Sequence, residues 1–124
     1  MVITKPNASS PAATVSKAAF RAARLLGLNN AALAVILGLS EPTISRLGSG
    51  TFTLDPAGKP YELALLLVRL FRSLDAMVGG EEGPMRGWMR SPNLAIDGIP
   101  AERIRTVTGL VETVSYVDGA RARI

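Results

Sequence analysis

The sequence predicts an all-α protein in which two small helical subdomains are joined by one long helix. Three observations lead there. Apolar residues recur at the three- and four-residue spacing of a helix face through most of the chain. No stretch shows the apolar–polar alternation of a half-buried strand, and Gly, Pro, Ser and Asn gather at the breaks between periodic segments. With 48% hydrophobic and 19% charged residues over 124 positions, the composition is that of a folded chain long enough to bury a core.

Residues 1–14, rich in Pro, Ser, Ala and Asn, read as a mobile tail, and the three apolar residues ahead of Lys5 do not make a signal peptide. Over residues 15–26, Ala19, Ala23 and Leu26 lie opposite Lys17, Arg21 and Arg24, the pattern of an amphipathic helix that stops at Gly27. Asn29 or Asn30 can cap a second helix with Leu33, Ile36 and Leu37 on its apolar side and Gly38 as its stop. Ser40 can cap a third, with Pro42 in the first turn, where a missing N–H costs nothing, and Gly48 and Gly50 ending it. With "GTFTLDPAGKP" as connector, residues 15–58 form the first subdomain.

The second comprises residues 59–124 and opens with the longest helix, expected over 59–78. Its centre, "LALLLVRLF", is apolar nearly all round, while Glu62, Arg69, Arg72 and Asp75 interrupt the run well short of a membrane span. Such a helix is buried on more than one side, and we expect it to serve both as the spine of the domain and in a homodimer interface. "GGEEGP" is a hinge-like break. Beyond it come a short helix around residues 85–89, turns at "SPN" and "DG", a helix opened by Pro100 and running to 108, and a last helix over 110–117. Gly119 is expected to end that helix, leaving 120–124 as a mobile segment with Arg121, Arg123 and the carboxylate of Ile124.

The chain has neither cysteine nor histidine, which excludes disulfides, thiolate nucleophiles, zinc sites built on those residues and the usual general base near neutral pH. No metal and no cofactor are expected, and the setting that fits is the cytoplasm. Enzyme activity is not expected either. Glu81 and Glu82 in a glycine-rich hinge read as a solvated helix start, and Glu102 and Glu112 have no visible catalytic partner. Charge is unevenly spread: residues 1–50 carry five basic side chains against Glu41 alone, whereas residues 51–124 carry nine of each sign. The net +4 therefore falls in the half with the two short helices, the sign expected of a nucleic-acid face.

In "NNAALAVILGLSEPTISRLGSG", a turn at Gly38 needs apolar residues where the helices face each other and a small one where their backbones come closest. Leu33, Leu37, Leu39, Ile44 and Leu47 supply the first set and Ala34 the second. The stretch resembles the DNA-binding helix-turn-helix of the Xre and phage-repressor class. That resemblance implies that Glu41, Thr43 and Arg46 reach base edges and that Ser40, Ser45 and Ser49 face phosphates. Arg46 can hold a guanine by two hydrogen bonds, and Glu41 can instead serve the dipole of its own helix.

The C-terminal third carries a second resemblance, in "GWMRSPNLAIDGIPAERIRTVTGLVETVSYVDGARARI". Trp88, Met89, Pro92, Asn93, Gly98, Pro100, Gly109 and Val114 match the pattern of the toxin-binding domain of the Xre/MbcA/ParS antitoxin family, with Ile96 and Ile104 where leucine is more usual. Trp88 is expected as a core anchor rather than a partner contact. The resemblance implies an antitoxin that binds and inhibits a RES-domain toxin, an NAD-degrading enzyme, and that binds operator DNA to repress its own operon. Arg121, Arg123 and Ile124 are the residues expected to contact the toxin, and NAD is then the toxin's substrate, not a ligand of this chain. The alternative is a helix-turn-helix regulator whose C-terminal half dimerises or senses a ligand and has no toxin partner.

Overall fold

The computed structural model describes residues 10–123. Seven α-helices lie within them: α1 (Pro11–Leu25), α2 (Asn30–Leu37), α3 (Glu41–Ser49), α4 (Lys59–Val78), α5 (Glu82–Arg90), α6 (Pro100–Arg103) and α7 (Val107–Arg121), with one 3-10 turn at Leu94–Ile96. The described residues form no strand beyond a single bridge between Asn93 and Gly98. None of the helices is long and apolar enough to cross a membrane.

The first helix starts earlier than its apolar spacing suggests. Ser10 caps it, accepting a hydrogen bond from the Ala13 N–H at 3.1 Å, and Pro11 takes the first position, where no donor is lost. Of the expected tail, residues 11–14 are thus helical, and residues 1–9 lie outside the described residues. Asn29 is the cap of α2, accepting from the Ala32 N–H at 2.8 Å, while Asn30 accepts from the Arg24 guanidinium at 2.7 Å. Gly38 leaves α2 with φ +70°, a conformation most side chains resist. The end of α3 falls at Gly50, not Gly48. Gly48 stays helical and serves another purpose, because a Cβ there would come within 2.5 Å of the Phe20 ring.

The connector is anchored by a buried hydroxyl. Ser16 Oγ accepts from the Leu54 N–H at 2.9 Å and donates to the Ala12 carbonyl at 2.7 Å, so a buried loop donor is satisfied 38 residues away in sequence. From there α4 runs over the expected span, and Ala64, Leu67, Leu70 and Leu74 are fully buried along it. It packs against α1 and α2 as well as α7, the spine the sequence predicts. Val107 lines a groove with Glu62 and Leu63 near the start of α4, and Ser73 Oγ donates to Asp118 Oδ1 at 2.6 Å near its end. The two helices therefore run in the same direction.

The C-terminal half departs from expectation at two places. One helix over residues 100–108 was expected, but α6 stops after Arg103 and Thr106 opens α7 by accepting from the Gly109 N–H at 3.1 Å. Gly109 backs so closely onto the Arg103 carbonyl that any Cβ would overlap its oxygen. The break and the last helix's early start are one feature, since the chain turns back on itself at full van der Waals contact. At the other end, Gly119 does not terminate α7, which continues to Arg121. A glycine with helical backbone costs a helix only ~0.5–1 kcal/mol, which packing on α4 offsets. The segment expected to be mobile is thus helical to Arg121 and tied back beyond it, the Ala122 and Arg123 N–H groups donating to the Asp118 and Ala120 carbonyls at 3.1 and 3.2 Å, and Ile124 lies outside the described residues.

One core cluster runs through both halves, from Leu33, Ile44 and Leu54 to Leu74, Met89 and Val117. Trp88 is half-buried at its margin, stacked on Tyr116 with centroids 6.5 Å apart and planes at 11°. A core position was expected for it, and it lies instead at the core's edge, where its ring still packs on the cluster.

Candidate functional site

Two surfaces stand out, one in each half. In the first, Leu33, Leu37, Ile44 and Leu47 are all within 2% of full burial and join α2 to α3 and the core, while Leu39 is half-buried against it. Burying that side leaves the other side of α3 in solvent. Glu41, Pro42, Ser45, Arg46 and Ser49 are exposed along it, and from Pro42 onward they follow the i, i+3, i+4, i+7 spacing of one helix face.

The six residues predicted to meet DNA are not equally free. Ser40 caps α3, bonded to the Thr43 N–H at 3.2 Å and to the Thr43 hydroxyl at 2.8 Å, so these two hydroxyls are turned toward each other. Ser49 donates to the Arg46 carbonyl at 3.1 Å and is paired with the Thr51 hydroxyl at 2.9 Å. Glu41 lies in the first turn, where a carboxylate favours the helix dipole. Ser45 and Arg46 project from the middle of the face, and among the described residues neither side chain makes an internal hydrogen bond or ion pair.

Charges on α1 extend this face. Lys17 and Arg21, exposed and one turn apart, line clefts shared with Ser49 and Gly50 at the end of α3. The sequence places them on the polar side of α1 but gives no sign that this side meets the end of α3, because the α1–α3 approach depends on Gly48. Arg24, on the same polar side, is spent internally. Its guanidinium lies 4.8 Å over the Phe20 ring and donates to Asn30.

The second surface belongs to α4, α7 and the loop before α6. Asp118 is clamped from both sides, by Ser73 and by Arg69 Nη2 at 2.6 Å, and Arg72 and Arg121 line the same groove of about 580 Å³. Arg121 is therefore part of a basic rim in the last turn of α7. Arg123 folds back, its Nε donating to the Gly119 carbonyl at 3.1 Å. Sequence reasoning missed Leu94. It sits on a turn closed by two backbone bonds between Asn93 and Gly98, at 2.8 and 3.2 Å, with Asn93 Oδ1 accepting from the Ala95 N–H at 3.0 Å. That turn presents Leu94 fully to solvent, at 101% exposure. Only the residue's failure to fit any helical apolar face could have marked it in the sequence.

A basic helix-turn-helix surface at one end and an apolar, arginine-rimmed helical surface at the other define a two-headed helical protein suited to nucleic acid and to a protein partner. Family models agree: residues 6–69 match the antitoxin Xre-like helix-turn-helix domain, and residues 73–123 match the antitoxin Xre/MbcA/ParS C-terminal toxin-binding domain. The chain belongs to the Xre-like helix-turn-helix antitoxin family, carrying its DNA-binding motif and its toxin-binding domain in that order. No curated protein matches it.

Proposed function

We propose that this chain is the antitoxin of a type II toxin–antitoxin pair. In this reading it binds and inhibits a RES-domain, NAD-degrading toxin in the cytoplasm and, as a homodimer, binds operator DNA to repress its own operon. The observation that carries the proposal is the succession of an antitoxin helix-turn-helix and an antitoxin toxin-binding domain along nearly the whole chain.

On the DNA side, Arg46 is the residue best placed to read a base, since it is exposed and unpaired at mid-face. Thr43 and Glu41 lie before it at the start of the helix, and we assign phosphate contacts to Ser40, Ser45 and Ser49, with the exposed Lys17 and Arg21 beside the end of α3. On the toxin side, Arg121 and Arg123 bring positive charge to the end of α7, and Ile124, outside the described residues, follows them. A cleft built for a dinucleotide carries groups that pair with such charges. Neutralisation needs a dissociation constant near nanomolar, about −12 kcal/mol, more than two arginines on a helix end supply. Apolar anchors such as Leu94 contribute the rest, and the end of α7 adds occlusion of NAD.

The test is coexpression with the product of the adjacent gene, followed by an NAD-consumption assay. The expected result is a copurifying complex with no NAD degradation, and degradation by the partner alone. Absence of any complex, together with intact operator binding, would leave the plain transcriptional regulator as the better description.

A further inference from the structure

The outward face of α4 is a charge palindrome. Glu62, Leu65, Leu66 and Arg69 follow the i, i+3, i+4, i+7 spacing, with an acid at one end, a base at the other and leucines between. Leu65 is 45% exposed in the middle of the longest helix, and Leu66 and Val107 line the same groove of about 660 Å³. Val107 is 60% exposed there, and Val111, one turn further along α7 and 44% exposed, faces a neighbouring cleft with Ala95 and Ile96. Rigid helices carry these apolar groups, and among the described residues nothing covers them.

We infer that this face is the contact between two copies of the chain, with their α4 helices packed antiparallel about a two-fold axis between Leu65 and Leu66. The inference rests on the proposed homodimer and names its interface. In a two-fold contact each patch must complement itself, so residue i meets j while j meets i. Reversing one α4 against the other about that midpoint sets the leucines of the two copies together. It also sets Glu62 of each copy against Arg69 of the other, twice over. Each charge arrives with a neighbour of opposite sign: Glu62 holds Lys59 at 3.0 Å and Arg69 holds Asp118 at 2.6 Å. Each end of the contact thus holds Glu62 and Lys59 of one copy with Arg69 and Asp118 of the other, and Arg72, exposed one turn beyond Arg69, lies at its margin. A parallel arrangement would instead put Glu62 on Glu62 and Arg69 on Arg69, and like charges facing each other across an interface are strongly disfavoured.

The test uses the full chain and the charge pattern itself. Glu62→Arg and Arg69→Glu each bring like charges together at both ends of the homodimer, and sedimentation should show the dimer dissociation constant raised more than about tenfold in either variant alone. An equimolar mixture of the two restores both pairs in a heterodimer, so dimer should reappear on mixing, which no loss of folding in a single variant can produce. The chain lacks cysteine, so Leu65→Cys can form a disulfide only with a second copy, and oxidation should trap a covalent dimer. If the wild type sediments as a monomer at micromolar concentration, the inference and the homodimer reading fall together. If the wild type is a dimer that neither charge variant weakens and Leu65→Cys does not crosslink, only the assigned interface falls. Variants that stay dimeric but no longer copurify with the toxin would assign this face to the toxin and overturn the inference.

Discussion

The turn at Gly38 and the turn before Gly109 both end one helix and start the next within a few residues, but by different means. At Gly38 everything needed is local: a left-handed glycine, a serine cap two residues on and a threonine bonded to that cap. Before Gly109 a threonine cap is present too, yet the geometry is set by backbone contact with the Arg103 carbonyl, across six residues and between two helices. The surfaces next to these turns differ in kind as well. On α3, after Gly38, Ser45 and Arg46 are exposed, polar and suited to a hydrated phosphate backbone, with Val35 exposed on α2; around the second turn Leu94, Val107 and Val111 are exposed beside Glu102, Arg105 and Thr106. The first half carries the net positive charge, and among the described residues four of the five exposed large hydrophobics, all but Val35, lie in the second. A partner read through phosphates tolerates water at the interface; a protein partner gains affinity by expelling it.

The strongest way to break this contrast is substitution of the two tightly packed glycines. Gly109→Ala forces a methyl group onto a backbone carbonyl that cannot swing away, and we expect a loss of about 3 kcal/mol or more in denaturant unfolding. Gly48→Ala meets only the Phe20 ring, the far end of a side chain that can rotate, and gains helix propensity, so its cost should stay near 1 kcal/mol. Equal costs would mean that the C-terminal turn is no more constrained than the N-terminal one.

Arg46→Ala should weaken operator binding by about 1–3 kcal/mol in a gel-shift titration and relax specificity at one base pair. Thermal unfolding of this variant should match wild type, since Arg46 is exposed and its side chain holds nothing in place. Unchanged operator binding would show that the outward face of α3 does not enter the groove. A smaller effect, about 1 kcal/mol of stability, is expected of Ser40→Ala through loss of the cap on α3. If Ser40 also faces a phosphate, operator affinity should fall further than that destabilisation accounts for.

The contrast also explains what could be read in the sequence. Caps and stops at Ser40, Gly38 and Gly79 lie within a few residues of the helices they bound, and so did the reasoning that found them. The span of α4 followed from the connector "GTFTLDPAGKP" before it and the glycine-rich break "GGEEGP" after it. Gly48, Gly109 and Gly119 look alike in a sequence, but one admits a ring, one admits a carbonyl and one is simply tolerated inside a helix. Their roles depend on what lies opposite, which spacing along the chain does not encode. For the same reason the polar side of α1 was legible as a face, but its division into Lys17 and Arg21 beside α3 and Arg24 stacked on Phe20 was not. Leu94 escaped because a single leucine in a turn has no periodicity.

That opposite halves of the chain serve DNA and toxin is tested most directly by assaying two variants side by side, each for operator binding and for inhibition of the adjacent-gene toxin's NAD degradation. In Arg46→Ala operator binding should weaken by the same amount, about 1–3 kcal/mol, while inhibition stays complete. In the double variant Arg121→Glu with Arg123→Glu, operator binding and copurification should persist while NAD degradation returns. The account is contradicted if either variant loses both functions, or if the double variant inhibits as fully as wild type, which would make the end of α7 a bystander.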